Sequence, residues 1–334
     1  MSSVITPVRT KEPHPHLRAM NVFRDLSAVA DLIELCFAST MDNDGQRYIA
    51  NLRRASRDNG FLQWASNVTE NATLPMTGFV WEENGRIVGN ASIIPFRERG
   101  KRIYLIANIA VHPDYRRRGI ARSLTQRAMQ YGWDKKASAI WLHVRDDNPA
   151  AIHLYRNLGF EEIARRTTWT AKPDPHLPKP FSDIQIVPRH SRFWSQQQDW
   201  LQRLHPDALG WYRAFNFDVL RPGLLNWLYL FFVDMNIDQW AAVRGERLLA
   251  TLSWVPHGGR IEPLIAATAE RSEAEALAHL LIHARRTLSN QSDLSIEHPA
   301  GELTEAFLAA GFSERRTLLW MRAKPATAKG LSRM

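Results

Sequence analysis

Apolar and polar positions along this chain follow a pattern of short alternating runs and longer helix-like runs, and the same order of elements occurs twice. In the first half, a short strand is read near Leu17 to Phe23, a helix from about Leu26 to Phe37, and a second helical stretch from about Asp44 to Arg57. A hairpin follows, Gly78 to Glu82 and Arg86 to Phe96, joined by Asn84-Gly85, a pair that favours a type I′ turn. From Arg102 to Thr170 the order is strand, helix, strand, helix, strand.

The second half reads the same way. Trp240 to Val243 and Leu248 to Val255 form a hairpin around Gly245-Glu246, and Ser272 to Leu288 is helical. Leu294 to Glu297 is a strand, Glu302 to Ala309 a helix and Arg315 to Met321 a last strand. An offset of 152 takes Gly159-Phe160 to Gly311-Phe312, Glu162 to Glu314 and Ala171-Lys172-Pro173 to Ala323-Lys324-Pro325. The fixed offset and the shared order point to an internal duplication.

Between the halves, PDPHLPKP from Pro173 to Pro180 holds four prolines in eight residues, which favours an extended connection. The expected organisation is a tail over 1–16, a first domain over 17–172, a linker over 173–183, a second domain over 184–325 and a tail over 326–334. The 334 residues, 45% apolar and 23% charged, suit two globular cores and exclude bulk disorder. The run Leu224 to Val233 is far short of the roughly 20 apolar residues of a membrane helix, so no membrane association is expected. Charged residues and prolines fill the first sixteen positions, where an export signal needs an apolar stretch, and Cys36 is the only cysteine. Both features fit a reducing cytoplasm, where the sequons at Asn67 and Asn71 are incidental.

Charge narrows the search for chemistry. Of the formal +9, +8 falls before residue 173, where 25 basic residues face 17 acidic ones. The basic residues are densest from Arg97 to Arg102 and from Arg116 to Arg122, the second group on a turn that contains Gly119. No nucleic-acid-binding motif or basic-aromatic interleaving accompanies them, so nucleic-acid binding, the reading that net charge alone raises, is not expected. In Asn108 to Leu124 an apolar strand ends at Pro113, a turn follows, and a helix begins near Gly119 with an inward stripe of Ile120, Leu124 and Ala128. The first turn of such a helix has backbone N–H groups without intrahelical acceptors, and its dipole adds partial positive charge, so a phosphate fits there. Gly119 and Ala121 are small enough for phosphate oxygens to approach. Further on, Asn148 caps a helix with Pro149 at its first position, Tyr155 lies within it and Gly159 ends it.

The pattern Arg116-x-x-Gly119-x-Ala121, followed by Asn148-x-x-Ala151-x-x-Leu154-Tyr155-x-x-x-Gly159-Phe160, resembles the two signature motifs of the GNAT superfamily of acetyl-CoA-dependent N-acetyltransferases. The resemblance is close over about 78–170 and looser over the rest of the first half. It implies an α/β (α+β) fold of two GNAT-like domains, each a mixed, mostly antiparallel sheet flanked by helices. In the first, the strands ending at Val111 and Val144 splay to admit the pantetheine arm of acetyl-CoA. It further implies that the backbone of Arg118, Gly119, Ile120, Ala121 and Arg122 cradles the pyrophosphate, with Arg116 and Arg117 adding charge. Ile109, Ala110 and Val111 would pair with pantetheine and hold the acetyl carbonyl, Asn148 and Ala151 would line the cofactor arm, and Tyr155 would sit near the sulfur.

The chemistry of such a site is attack of a neutral amine on a thioester, with charge developing on oxygen and a thiolate leaving. Backbone N–H groups on the splayed strand can stabilise the oxyanion, and Tyr155 can protonate the sulfur. Many relatives carry a glutamate on the strand corresponding to Arg102 to Val111, and this sequence has none there. Asn108 and His112 are the polar residues available, Glu82 and Glu83 lie on the neighbouring hairpin, and a base acting through water is the remaining route.

The offset maps Tyr155 to Phe307, Asn148 to Ala300, Gly119 to Arg271 and Ala121 to Glu273, so the second copy is expected to be degenerate. It would pack against the first domain and shape the acceptor pocket. Aromatic residues crowd its start, among them Trp194, Trp200, Trp211, Phe215, Trp227, Phe231 and Phe232, and are read as core or interface. His205, His257 and His298 have no ligand spacing, so no metal is expected. The expected activity is acetyl transfer to a primary amine on a small molecule or a peptide, and a non-catalytic acyl-CoA sensor or scaffold is the alternative. The acceptor and the oligomeric state are not legible in the chain.

Overall fold

The computed structural model describes residues 14–41, 43–57, 77–212, 216–232, 235–256, 261–269, 274–291 and 293–325. Both sequons, both tail ends, the Glu270 to Glu273 segment, Phe215, His257 and the Trp227 side chain lie outside the described residues. The chain divides into two compact units. The first holds residues 1–143, 150–161 and 321–334, and the second holds 144–149 and 162–320.

In the first unit, β1 (Leu17–Ala19) leads into α1 (Val22–Phe37) and α2 (Asn43–Arg57). Asn21 breaks the strand expected to continue to Phe23, because its side chain accepts the N–H groups of Phe23 and Arg24 and starts α1 four residues before Leu26. Leu26, Val29, Ala30 and Ile33 on α1 pack with Ile49 and Leu52 on α2 and with Val80 and Ala110 of the sheet. Asp25, 2% exposed, accepts Arg18 Nη2 at 3.0 Å, Arg24 Nε at 2.9 Å and the Asn21 N–H at 2.7 Å. Burial pushes its carboxyl up, but these bonds outweigh that and hold it below the ordinary aspartate value.

The hairpin of β2 (Thr77–Glu83) and β3 (Arg86–Glu98) turns at Asn84 (φ +50°) and Gly85 (φ +75°), the two left-handed residues that a type I′ turn requires. Next come β4 (Lys101–Val111), α3 (Ile120–Asp134), β5 (Ala139–Arg145) and α4 (Pro149–Arg156). The strand order is β1-β2-β3-β4-β5, antiparallel except for the parallel pair of β4 with β5.

The second unit contains β6 (Glu161–Ala171, from Glu162), β7 (Gln185–Pro188), α5 (Trp194–Leu204), α6 (Leu224–Phe232), β8 (Asp238–Arg244), β9 (Arg247–Trp254) and β10 (Ile261–Thr268). α7 (Ala274–Thr287), β11 (Asp293–Pro299), α8 (Thr304–Ala309) and β12 (Ser313–Ala323, to Trp320) complete it. Its order is β12-β6-β11-β10-β9-β8-β7. β10 runs parallel to β11, as β4 does to β5, and the other registered pairs are antiparallel. Unlike the other strands, β10 gives no clean alternation in the sequence, with Glu262 and Pro263 in its first turn of residues. Glu262 is 3% exposed and accepts the Trp254 indole N–H at 3.1 Å, which lets a carboxylate sit inside the sheet.

These units differ from a division at the proline-rich segment. β6, which ends the first half of the sequence, pairs antiparallel with β11, with Trp169 opposite Ile296, and Trp169 and Ala171 join the second unit's core. The last residues of β12, Met321 to Ala323, fall with the first unit. Ladder hydrogen bonds and burial of Trp169 therefore outweigh proximity along the chain. The segment 173–183 has no helix or strand, and it is fastened by the Asp174 N–H to Arg285 O at 2.8 Å.

The 152 offset reappears as matched hydrogen bonds. Phe160 N–H bonds to Tyr155 O at 3.1 Å, and Phe312 N–H to Phe307 O at 2.9 Å; Gly159 N–H bonds to Arg156 O, and Gly311 N–H to Leu308 O. Gly159 (φ +87°) and Gly311 (φ +70°) occupy the same left-handed helix end. They differ in surroundings. A Cβ on Gly159 would meet nothing within 4 Å, whereas one on Gly311 would lie 2.5 Å from Arg285 Nη1, which donates to Ala310 O. Gly159→Ala should therefore cost about 1–2 kcal/mol of backbone strain, and Gly311→Ala measurably more in the same denaturant titration, because Arg285 must also give way.

Candidate active site

β4 and β5 pair in register only from Ile103 with Ala139 to Ile106 with Leu142. Beyond that point β4 bulges. Asn90 of β3 faces Ala110 and Ser92 faces Ala107, so β3 uses one residue where β4 uses two, Asn108 and Ile109. Asn108 takes φ +51°, a left-handed conformation that asparagine tolerates better than branched residues. Two contacts hold it there. Asn90, fully buried, donates from Nδ2 to Asn108 O at 2.9 Å, and Asn108 Nδ2 donates to the Tyr48 hydroxyl of α2 at 2.7 Å. Burial pushes the Tyr48 phenol up to about 12, so it stays neutral. The expected splay thus has a physical cause, and Ile109 to Val111 continue β4 past the last β5 pair.

After β4, His112 and a single turn over Pro113–Tyr115 lead to the basic turn. Arg117 (φ +62°) and Gly119 (φ +79°) are both left-handed, and Gly119 caps α3 without a side chain. Ser123 N–H reaches Gly119 O at 3.0 Å, the first helical bond, so the N–H groups of Ile120, Ala121 and Arg122 precede the helical ladder. Ile120 and Leu124 are buried and fix α3 on the sheet, whereas Arg117, Arg118 and Arg122 are exposed. Arg116 has a different role from its neighbours: its Nε donates to Val111 O at 3.1 Å, tying the turn back to β4, and Cys36 Sγ shares that acceptor at 3.2 Å. Arg118 donates to Asp114 O at 3.1 Å and lies 4.8 Å from the Tyr115 ring centroid.

Tyr155 sits on α4, 7% exposed and edge-on to Phe160 at 6.1 Å. Burial pushes its phenol above the ordinary tyrosine value. Ala151 lies one turn earlier, half-buried, and Asn148 directly precedes the helix, its N–H donating to Arg145 O at 3.2 Å. His112 is buried, with Nε2 3.0 Å from Arg86 Nη2 and Nδ1 3.3 Å from the Asp114 N–H. A neutral imidazole has one ring lone pair, and in either tautomer a neighbouring donor faces it. Glu82 is held by Arg18 at 2.6 Å and by Arg24 at 3.2 Å, and Glu83 by the Trp81 indole at 3.4 Å. Among the candidate bases, then, each described side chain already has a partner.

The second unit repeats the frame with different contents. β10 pairs with β11 from Ile261 to Leu264 and runs on to Thr268. At its end, Arg203 of α5 donates to Thr268 O at 2.9 Å and Ala269 O at 3.2 Å, so a cationic side chain occupies the strand-end carbonyls. Phe307, in the position of Tyr155, is fully buried and stacks on Trp169 at 4.9 Å and 4°. His298 is buried beside Phe307, and burial together with Arg166 and Arg203 pushes it down to about 3. Trp194, Trp200 and Phe217 pack around Leu201, Leu220 and Ile265, as expected of core aromatics, whereas Phe231 and Phe232 are 68% and 80% exposed.

A parallel strand pair whose register ends before a bulge, followed by a glycine-capped helix with a basic turn, offers a strand edge beside an anion-accepting helix start. Residues 40–160 match the model of the acetyltransferase (GNAT) family. It is 40% identical over 67 residues to the [ribosomal protein bS18]-alanine N-acetyltransferase of Escherichia coli K12, a match covering 20% of this chain and 45% of that protein. It is 34% identical over 82 residues to the N-alpha-acetyltransferase RimI of Mycobacterium tuberculosis, covering 25% and 50%. The chain therefore spans half or less of the length of these relatives. A GCN5-related N-acetyltransferase structure from Sphaerobacter thermophilus shares the fold with TM-score 0.56 at 15% identity, covering 93% of this chain and 96% of that one.

Tyr48, Asn90 and Arg86 are the site residues that the motifs do not include. Asn90 has a sequence signal, a lone amide in the apolar run Ile87 to Ile94, but Tyr48 and Arg86 act through contacts that no local pattern encodes. Gly89 is a further hidden constraint, because a Cβ there would stand 2.8 Å from Ile120 Cγ2 and 2.9 Å from Leu124 Cδ1. Gly89→Ala should lift the start of α3 and cost about 1–3 kcal/mol by overpacking, read as a lowered denaturation midpoint with an unchanged slope.

Proposed function

We propose that this protein is an N-acetyltransferase that moves the acetyl group of acetyl-CoA to a primary amine, with the first unit as its cofactor-binding part. The observation that carries this reading is the opening of β4 from β5 at Asn108, followed directly by the left-handed turn at Arg117 and Gly119. The match of residues 40–160 to the acetyltransferase (GNAT) family model supports the same assignment. The pyrophosphate would rest on the N–H groups of Ile120, Ala121 and Arg122, with the exposed Arg117, Arg118 and Arg122 lowering the energy of its charge. Pantetheine would lie along Ile109 to Val111, beyond the last registered pair of β4 with β5, and Asn148 and Ala151 would line the arm.

The amine attacks the acetyl carbonyl as its neutral form. Negative charge then collects on the carbonyl oxygen and is met by β4 N–H groups already held in place by the bulge, so the interaction strengthens in the transition state. As the tetrahedral intermediate collapses, the C–S bond breaks and the sulfur takes a proton from Tyr155. Burial keeps that phenol protonated above its ordinary value, so the acid form is available throughout the neutral range. The amine proton passes to water, because His112 and the two glutamates are engaged by Arg86, Asp114, Arg18, Arg24 and Trp81. His112 acts as a positioning residue for the turn.

The partial matches to a [ribosomal protein bS18]-alanine N-acetyltransferase and to an N-alpha-acetyltransferase favour a peptide amine among the acceptors. An α-amino group, with a pKa of about 8, reaches its neutral form near physiological pH more readily than lysine at about 10.4, which suits a site without a free base. The second unit, with Phe307 for Tyr155 and Arg203 over its strand end, would bind no acetyl-CoA.

Calorimetric titration with acetyl-CoA should give one site per chain, lost in Gly119→Glu; two sites, or none, would sink the assignment. Tyr155→Phe should bind acetyl-CoA as before and lower kcat by about 10²-fold. The pH profile should rise with deprotonation of the amine and show no descending limb below about pH 10, since a raised Tyr155 value keeps the phenol protonated until above that point. His112→Gln should leave the shape of that profile unchanged.

A further inference from the structure

At the end of β4 remote from the basic turn, the first unit contains an open groove of about 780 Å³. Its walls are the start of α1, the paired ends of β3 and β4, and the end of α3. Pro95, Tyr104 and Tyr131 give it an apolar and aromatic floor, with the two tyrosine rings edge-to-face at 6.0 Å, and Phe23 stands at its rim, 53% exposed. Its charged residues are Arg97, Arg102 and Lys135, and no carboxylate lines it among the described residues.

Two of these cations have donors an anion could use. Arg102 stands opposite Arg97 in the antiparallel register of β3 and β4, so both project from the same face. Arg102 spends one guanidinium N–H on Lys135 O at 3.2 Å, and its other donors meet no protein acceptor among the described residues. Lys135 sits 5.8 Å from the Tyr131 ring and makes no ion pair among the described residues. An anion beside Arg102 and Lys135 would use these donors, and a flat ring beneath it would cover Tyr104 and Tyr131.

We propose that this groove binds a small molecule carrying an anionic group, a carboxylate or a phosphate, on a flat apolar ring. Its size is that of an ordinary small-molecule site. At about 3.3 Å per strand residue, Tyr104 lies roughly 16 Å from Ile109, the nearer end of the stretch assigned to the acetyl group, so the groove is a second site apart from acetyl-CoA.

The test is calorimetric titration of the full chain with 2-naphthoate, 2-naphthyl phosphate and neutral 2-naphthylmethanol, each with and without saturating acetyl-CoA. One or both anions should bind at one site, at least about ten-fold more tightly than the alcohol, and acetyl-CoA should not displace them. Their ratio tells a carboxylate site from a phosphate site. Arg102→Gln and Lys135→Gln, both surface changes, should each weaken anion binding about five-fold or more while acetyl-CoA binding stays as in the unmodified protein. Absence of anion binding at millimolar concentration, equal binding of the alcohol, indifference to both substitutions or displacement by acetyl-CoA would each overturn the proposal.

Discussion

Asn108 is held in a left-handed conformation inside a β-strand, and the local geometry of the candidate site depends on that constraint. One extra residue on β4 shifts its register with β3, beyond the last registered pair of β4 with β5 at Ile106 and Leu142. Such an arrangement persists only where neighbours over-determine it. Here Asn90 holds the carbonyl of Asn108 from inside the sheet and Tyr48 holds its side chain from α2. The bulge also sets where β4 ends, hence where Arg116 can return to Val111 and where α3 begins. The anion turn and the splay are consequences of the same local geometry.

The second unit keeps such a frame with different contents. Parallel pairing of β10 with β11 and the Phe307 to Phe312 helix end reproduce the first unit's architecture. The changes lie in the contents. An arginine reaches the carbonyls at the end of β10, and a phenylalanine stacked on Trp169 stands where a hydroxyl would have been buried. Both changes satisfy local groups that a cofactor would otherwise meet, and filling a groove with the protein's own side chains removes the cost of maintaining unpaired polar groups.

Much of this was legible because the controlling signals are local. The Asn84-Gly85 turn, the glycine caps at Gly119 and Gly159, and the apolar stripe of Ile120, Leu124 and Ala128 each specify structure within a few residues, and they place α3, α4 and the basic turn correctly. Less legible were features decided by distant partners. β10 hides a buried glutamate that only Trp254 explains. α1 begins early because Asn21 caps it, and that competes with a strand reading of the same residues. Within the site, the bond from Arg116 to Val111 and the contacts of His112 with Arg86 and Asp114 have no signal in the local sequence.

The pairing of β6 with β11 has a consequence for how the chain is made. Arg166, 3% exposed, bonds to Glu297, a partner 131 residues further along, so β6 leaves the ribosome long before anything exists to pair with it. Closing so long a loop is slow compared with the local hairpins on either side. In the interval, a strand bearing Trp169 has an open edge, the kind of surface on which nascent chains associate with one another. A polypeptide stopped at Lys172 would keep that edge permanently, even though it contains every motif of the site.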